Sequence, residues 1–167
     1  MKAASLSELK KELTARSKTD LLALCLRLAR YKKDNKELLT FLIFESNDSD
    51  AYTKSVDDFM TQEFSAINYS NSYFAKKSLR KILRLANKYI KYTGSKQVEA
   101  TLLIRFCNLL KKTELLAKKN TQIQKMYLTQ IDKIDKAIET LHPDLAYDFK
   151  KQAGDLALPH SSKFLFF

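Results

Sequence analysis

The chain has 167 residues, with 30 Lys or Arg against 19 Asp or Glu for a formal net charge of +11, and only two glycines and two prolines. That length suffices for one domain with a sizeable core and no need of a metal or disulfide. Gly94 and Gly154 stand alone, which excludes a phosphate-cradling P-loop, a dinucleotide fingerprint and a serine nucleophile elbow, since each needs clustered glycines.

Scarce Gly and Pro, with apolar residues at three and four spacing, predict an almost entirely helical protein. Ser5-Leu6-Ser7-Glu8 has the form of a capping box, and Ser17-Lys18-Thr19-Asp20 is a near-variant. They open a first helix to about Ala15 and a second from Lys18 to about Lys33. The second carries Leu21, Leu22, Leu24, Cys25, Leu28 and Ala29 opposite Arg27, Arg30 and Lys33, and is expected to dock along its apolar side. Asp34 or Asn35 then caps a short helix holding Leu38, Leu39, Leu42 and Ile43. These first forty-five residues resemble the N-terminal segment of an uncharacterised family of small bacterial all-helical proteins. The shared features are Leu6-x-x-Leu9-Lys10-Lys11, Ser17-Lys18-x-x-Leu21-Leu22 and Lys36-Glu37-Leu38-Leu39-x-Phe41-Leu42. The resemblance implies a helical fold and supplies no activity.

The polar run Glu45 to Asp50 is the best internal boundary. A fourth helix, about Ala51 to Asn68, is expected to bury Tyr52, Val56, Phe59, Met60, Phe64 and Ile67. The next helix is the most informative part of the chain. From Phe64 to Val98 there is no Asp or Glu, and the eight Lys or Arg there supply +8 of the net charge; residues 1–63 balance to zero and 99–167 add +3. At roughly 100° per residue, Lys77, Arg80, Lys81, Arg84, Lys88 and Lys91 cluster on one side. Leu79, Ile82, Leu83, Ala86, Tyr89 and Ile90 fill the other. Thr93-Gly94 closes this helix.

Ser95 caps a helix from 96 to 119 whose density of Leu, Ile and Phe predicts the most buried position in the fold. Ile123, Tyr127, Ile131, Ile134, Ile138 and Leu141 form a coiled-coil-like stripe, read as packing within the same bundle, with a dimer seam as the alternative. Pro143 suits the first turn of a last helix that stops at Gly154. The tail, residues 155–167, lacks helical pattern and ends Lys163-Phe164-Leu165-Phe166-Phe167. Phe164, Phe166 and Phe167 are expected to anchor the tail, either in a groove of the same molecule or as a peptide bound by a partner.

The expected architecture is therefore all-α, about eight helices in an antiparallel bundle or in HEAT-like stacked hairpins, with no sheet and a single domain spanning 1–167. No stretch approaches the roughly 18 consecutive apolar residues of a membrane span. Cys25 and Cys107 lie inside apolar helical patterns and read as buried thiols in a reducing, cytoplasmic setting.

Chemistry beyond the basic helix is thin. Glu139-x-x-His142 has the spacing of half a di-iron site but lacks its second copy, so His142 is read as a helix-end residue before Pro143. Asp132, Asp135 and Glu139 lie among Lys133 and Lys136 and read as surface ion pairs. Adjacent Asp57 and Asp58 point to different parts of one helix surface. No catalytic, metal or cofactor-binding set emerges, so the expected function is noncatalytic: a monomer or weak homodimer offering its basic face to an acidic protein. The alternative is weak, sequence-independent nucleic-acid binding through the same face, with Tyr69, Tyr73 and Tyr92 as stacking groups.

Overall fold

A computed structural model describes residues 2–116 and 121–156, apart from the side chain of Thr121. The fold is all-α: eight α-helices, with no strand among the described residues. None of these helices is long and apolar enough to cross a membrane. The chain divides between Ser46 and Asn47 into two compact units.

The N-terminal unit holds α1 (Leu6–Thr14), α2 (Lys18–Tyr31) and α3 (Lys33–Thr40), the last continuing into a π-helical segment, Phe41–Glu45. Both predicted start signals operate. The Glu8 backbone N–H donates to Ser5 Oγ at 3.3 Å while the Ser5 N–H donates to Glu8 Oε2 at 2.7 Å. The Asp20 N–H donates to Ser17 Oγ at 3.1 Å. Neither Asp34 nor Asn35 caps α3. The helix starts at Lys33 from an extended Lys32 without a side-chain cap, so Asp34 and Asn35 fall inside its first turn and not at the capping position; the Asn35 side-chain amide donates to the Leu28 carbonyl at 3.0 Å and ties α3 back to α2. The expected docking of α2 is met only by α3, against which it packs without becoming buried. No residue of α1, α2 or α3 is buried, and Cys25, expected inside, is exposed. A short helix pair offers each apolar side chain too few neighbours to exclude water.

The C-terminal unit holds α4 (Ser49–Ser65), α5 (Ser72–Thr93), α6 (Lys96–Lys111), α7 (Thr121–Ile138) and α8 (Pro143–Gly154). These form a bundle around α6, which packs against all four others. Its Val98, Ala100, Leu102, Leu103, Ile104, Phe106, Cys107 and Leu110 are all buried, as its all-round apolar pattern requires. Each fully buried leucine contributes about 1.5–3 kcal/mol relative to exposure. The helix ends at Lys111, short of the predicted 119, where Thr113 Oγ1 takes up the Leu110 carbonyl at 2.7 Å.

On α7, Ile123, Tyr127, Ile131, Ile134 and Ile138 are buried, and α6 is the helix against which α7 packs most extensively. The stripe is therefore core. Tyr127 Oη donates to the Leu156 carbonyl at 2.6 Å and fixes the end of the last turn. In α4, Tyr52, Val56, Met60 and Phe64 are buried, as is Ile67 beyond its end. Phe59 is only half-buried and sets its ring edge-on to Tyr89, centroids 6.3 Å apart. The predicted tail anchors Phe164, Phe166 and Phe167 lie outside the described residues.

Candidate functional site

The basic helix is α5. Asn71 caps it, its Oδ1 accepting from the N–H groups of Tyr73 (2.9 Å) and Phe74 (3.3 Å). At the far end Gly94 takes φ +62°, a left-handed conformation that a Cβ disfavours. Between them Ala75, Leu79, Ile82, Ala86 and Ile90 recur at four and three spacing and are buried. Leu83 and Tyr89, expected on the same side, are half-buried at its margin. This burial orients the helix. With one stripe held in the core, the cations on the opposite arc must face water.

There Lys76, Lys77, Arg80, Lys81 and Arg84 line an open groove of about 550 Å3 with Tyr73 at its head. Tyr73 is 64% exposed and its ring lies edge-on to Phe74 with centroids 5.5 Å apart. The Lys76 ammonium stands 5.9 Å from the Tyr73 ring centroid and donates to Gln122 Oε1 of α7 at 2.6 Å. Among the described residues one carboxylate pairs with a cation of the groove: Glu63 of α4 lies 2.9 Å from Lys81. The expected lack of carboxylate partners thus holds along α5 but not across helices. An exposed pair of this kind contributes about 0–1 kcal/mol and cancels one positive charge, leaving four cationic side chains along about two and a half turns. Such a cluster carries a positive potential that attracts anions.

Of the six basic residues expected to form the face, the groove gathers Lys77, Arg80, Lys81 and Arg84. Lys88 and Lys91 lie beyond it toward the helix end, Lys88 half-buried with its ammonium 5.9 Å from the Tyr92 ring centroid. The three tyrosines are not gathered into one platform. Tyr73 belongs to the groove. Tyr69 donates its hydroxyl to the Phe64 carbonyl at 2.8 Å and lines a separate apolar groove with Phe64, Leu109 and Leu115; burial there raises its pKa. Tyr92 packs edge-on to Tyr89, centroids 6.3 Å apart. Lys76 and Glu63 are the members that sequence reasoning missed. Lys76 falls about 40° from Arg80 around the helix, which the wheel could have shown. Glu63 sits on another helix and gives no local signal.

Elsewhere in this unit a polar cleft of about 550 Å3 lies among α4, α6 and α8, with Thr53, Asp57, Thr101, Arg105, Asn108 and Gln152 in its lining. Arg105 holds Asp57 at 2.5 Å and reaches Thr61 Oγ1 at 3.2 Å. This crosslink of α4 to α6 engages Asp57 and Arg105 with each other, while Asp50 and Lys54 also line the cleft. His142 stands at the start of α8 just before Pro143, exposed, with Nδ1 3.5 Å from Asp144. Neither His142 nor Glu139 lines the grooves described above. Comparison of the chain with protein-family models, curated proteins and solved structures gave no match.

Proposed function

We propose that the protein is a noncatalytic interaction module, acting in a cytoplasmic setting, whose α5 groove receives an acidic segment of another protein. One observation carries this reading: Lys76, Lys77, Arg80, Lys81 and Arg84 line a single groove, with Glu63 pairing only Lys81. The two arginines offer planar forks that hold carboxylates bidentately, while the lysines act as point charges around them. Tyr73 gives an acidic peptide one exposed ring against which to set an apolar side chain.

The nucleic-acid alternative is less well supported by the same geometry. Sequence-tolerant binding of single strands uses successive aromatic platforms beside the charges. Here Tyr69 is engaged at Phe64 and Tyr92 is packed on Tyr89. The test compares, by fluorescence anisotropy at physiological salt, a peptide of alternating glutamate and leucine with an oligo(dT) of equal charge. The reading expects the peptide to bind at least about tenfold tighter, with the preference lost in an Arg80→Glu, Arg84→Glu variant. Tighter binding of oligo(dT), with log affinity falling linearly in log salt, overturns it in favour of nucleic acid.

A further inference from the structure

The groove beside Tyr69 holds about 540 Å3, within the range of about 300–1,000 Å3 that ligand pockets span. Phe64, Leu109, Leu115 and the Tyr69 ring supply its apolar lining. Four hydroxyls also line it, and each already donates its proton to a nearby backbone carbonyl. Thr61 donates to Asp57 at 2.9 Å, Ser65 to Gln62 at 2.7 Å, Tyr69 to Phe64 at 2.8 Å and Thr113 to Leu110 at 2.7 Å. Among the described residues the lining thus keeps no hydroxyl proton with which to recognise a polar ligand, and its charged side chains, Lys112 and Glu114, are exposed. Such a lining selects an apolar occupant.

We propose that the occupant is the tail of the same chain, with Phe164, Leu165, Phe166 and Phe167 set against Phe64, Leu109 and Leu115. These four apolar residues follow Lys163 without interruption and lie outside the described residues, which end at Leu156. Where the described chain stops, Lys111 Nζ donates to the Asp155 carbonyl. The tail therefore leaves the bundle at the last turn of α6, and the next residue there, Lys112, lines the groove. From Leu156 to Phe164 is eight residues, a reach of up to about 26 Å when extended. The wall that α6 gives the groove, Leu109 to Lys112, is only about 5 Å long. Tethering decides between this segment and an apolar peptide of another protein, because a segment on a short linker is present at an effective concentration in the millimolar range. The other two grooves suit it less well, one being lined by the cations of α5 and the other by Asp57, Arg105 and Gln152.

The chain contains no tryptophan, so Phe166→Trp places a single fluorescent reporter in the tail of the full-length protein. Its emission is expected to be shifted to the blue of that in urea and to lose most of its quenching by acrylamide. Ser65 is exposed at the groove, and adding Ser65→Lys is expected to shift the emission back to the red and restore quenching, with helicity by circular dichroism unchanged. Deleting residues 164–167 is expected to lower Tm in the wild-type background and to lower it little further in the Ser65→Lys background, the non-additivity of two changes to one contact.

An indole as red and as quenchable in the folded Phe166→Trp protein as in urea overturns the proposal, as does a Tm that the deletion leaves unchanged. A protected indole that Ser65→Lys does not expose, or additive losses of Tm, overturns the assignment to this groove. Protection that grows with protein concentration assigns the tail to a second copy and overturns docking within one chain.

Discussion

Gln130 of α7 is 2% exposed. Its Nε2 donates to the Met126 carbonyl at 3.0 Å, but its Oε1 has no hydrogen-bond partner among the described residues. A buried acceptor left unsatisfied costs about 1–3 kcal/mol. Gln130→Met keeps the length of the side chain and removes that acceptor, so thermal denaturation should show Tm raised by about 2–5 °C. Asp135 is a second strained residue. Burial raises its pKa first, then the nearby charges of Asp132 and Glu139, with Lys150 acting in the opposite sense. Because the folded state holds the proton more tightly than the unfolded one, the group's stabilising contribution is present in acid and lost as pH rises through its raised folded pKa. Asp135→Asn should therefore raise Tm at neutral pH, with the advantage over wild type shrinking as both are measured toward pH 4. The two thiols differ just as clearly. Burial pushes Cys107 up to about 12, while Cys25 is exposed. Native protein should give one promptly reactive thiol with a chromogenic disulfide reagent, and the second only on unfolding.

At the scale of the element, α5 combines two independent demands on one helix. Leu79 and Ile82 are fully buried, and truncating such a side chain to alanine costs about 2–5 kcal/mol. Arg80 is exposed on the opposite arc. Leu79→Ala should lower the denaturant midpoint sharply, whereas Arg80→Ala should leave it nearly unchanged and affect only anion binding. The comparison tests whether the basic arc is functional surface laid over structural core. Most of this helix was legible in advance, because its cap, its Gly94 terminus and its apolar stripe are local signals with a 3.6-residue period. Its ion pair with Glu63 was not. That contact joins residues eighteen positions apart, and nothing local encodes the meeting of two helices. The same limit explains α2: its leucine pattern announces an apolar helix, but whether other side chains cover that helix depends on which elements come to lie beside it.

For the whole molecule, the core is concentrated after Ser46. Apart from Phe41, every buried apolar residue among those described lies in α4–α8 or the turns that follow them, and α6 binds these helices into one packed body. Residues 47–167 expressed alone should therefore unfold cooperatively, with a single thermal transition by circular dichroism. A non-cooperative, sloping melt would mean that the N-terminal unit is needed to complete that core. Composition and periodicity by themselves determined that this protein is helical, where most helices start and stop, that α6 is central and that α5 carries its cations with no carboxylate of its own. All of these follow from local propensity and from the one-dimensional order of apolar and charged residues. Only the tertiary structure decided that Lys81 is paired, that Tyr69, Tyr73 and Tyr92 are divided among different surroundings, and that α3 packs on α2 without burying it. Each depends on which side chains from distant parts of the chain are brought within a few ångströms, and solvent exclusion and charge pairing act only at that range.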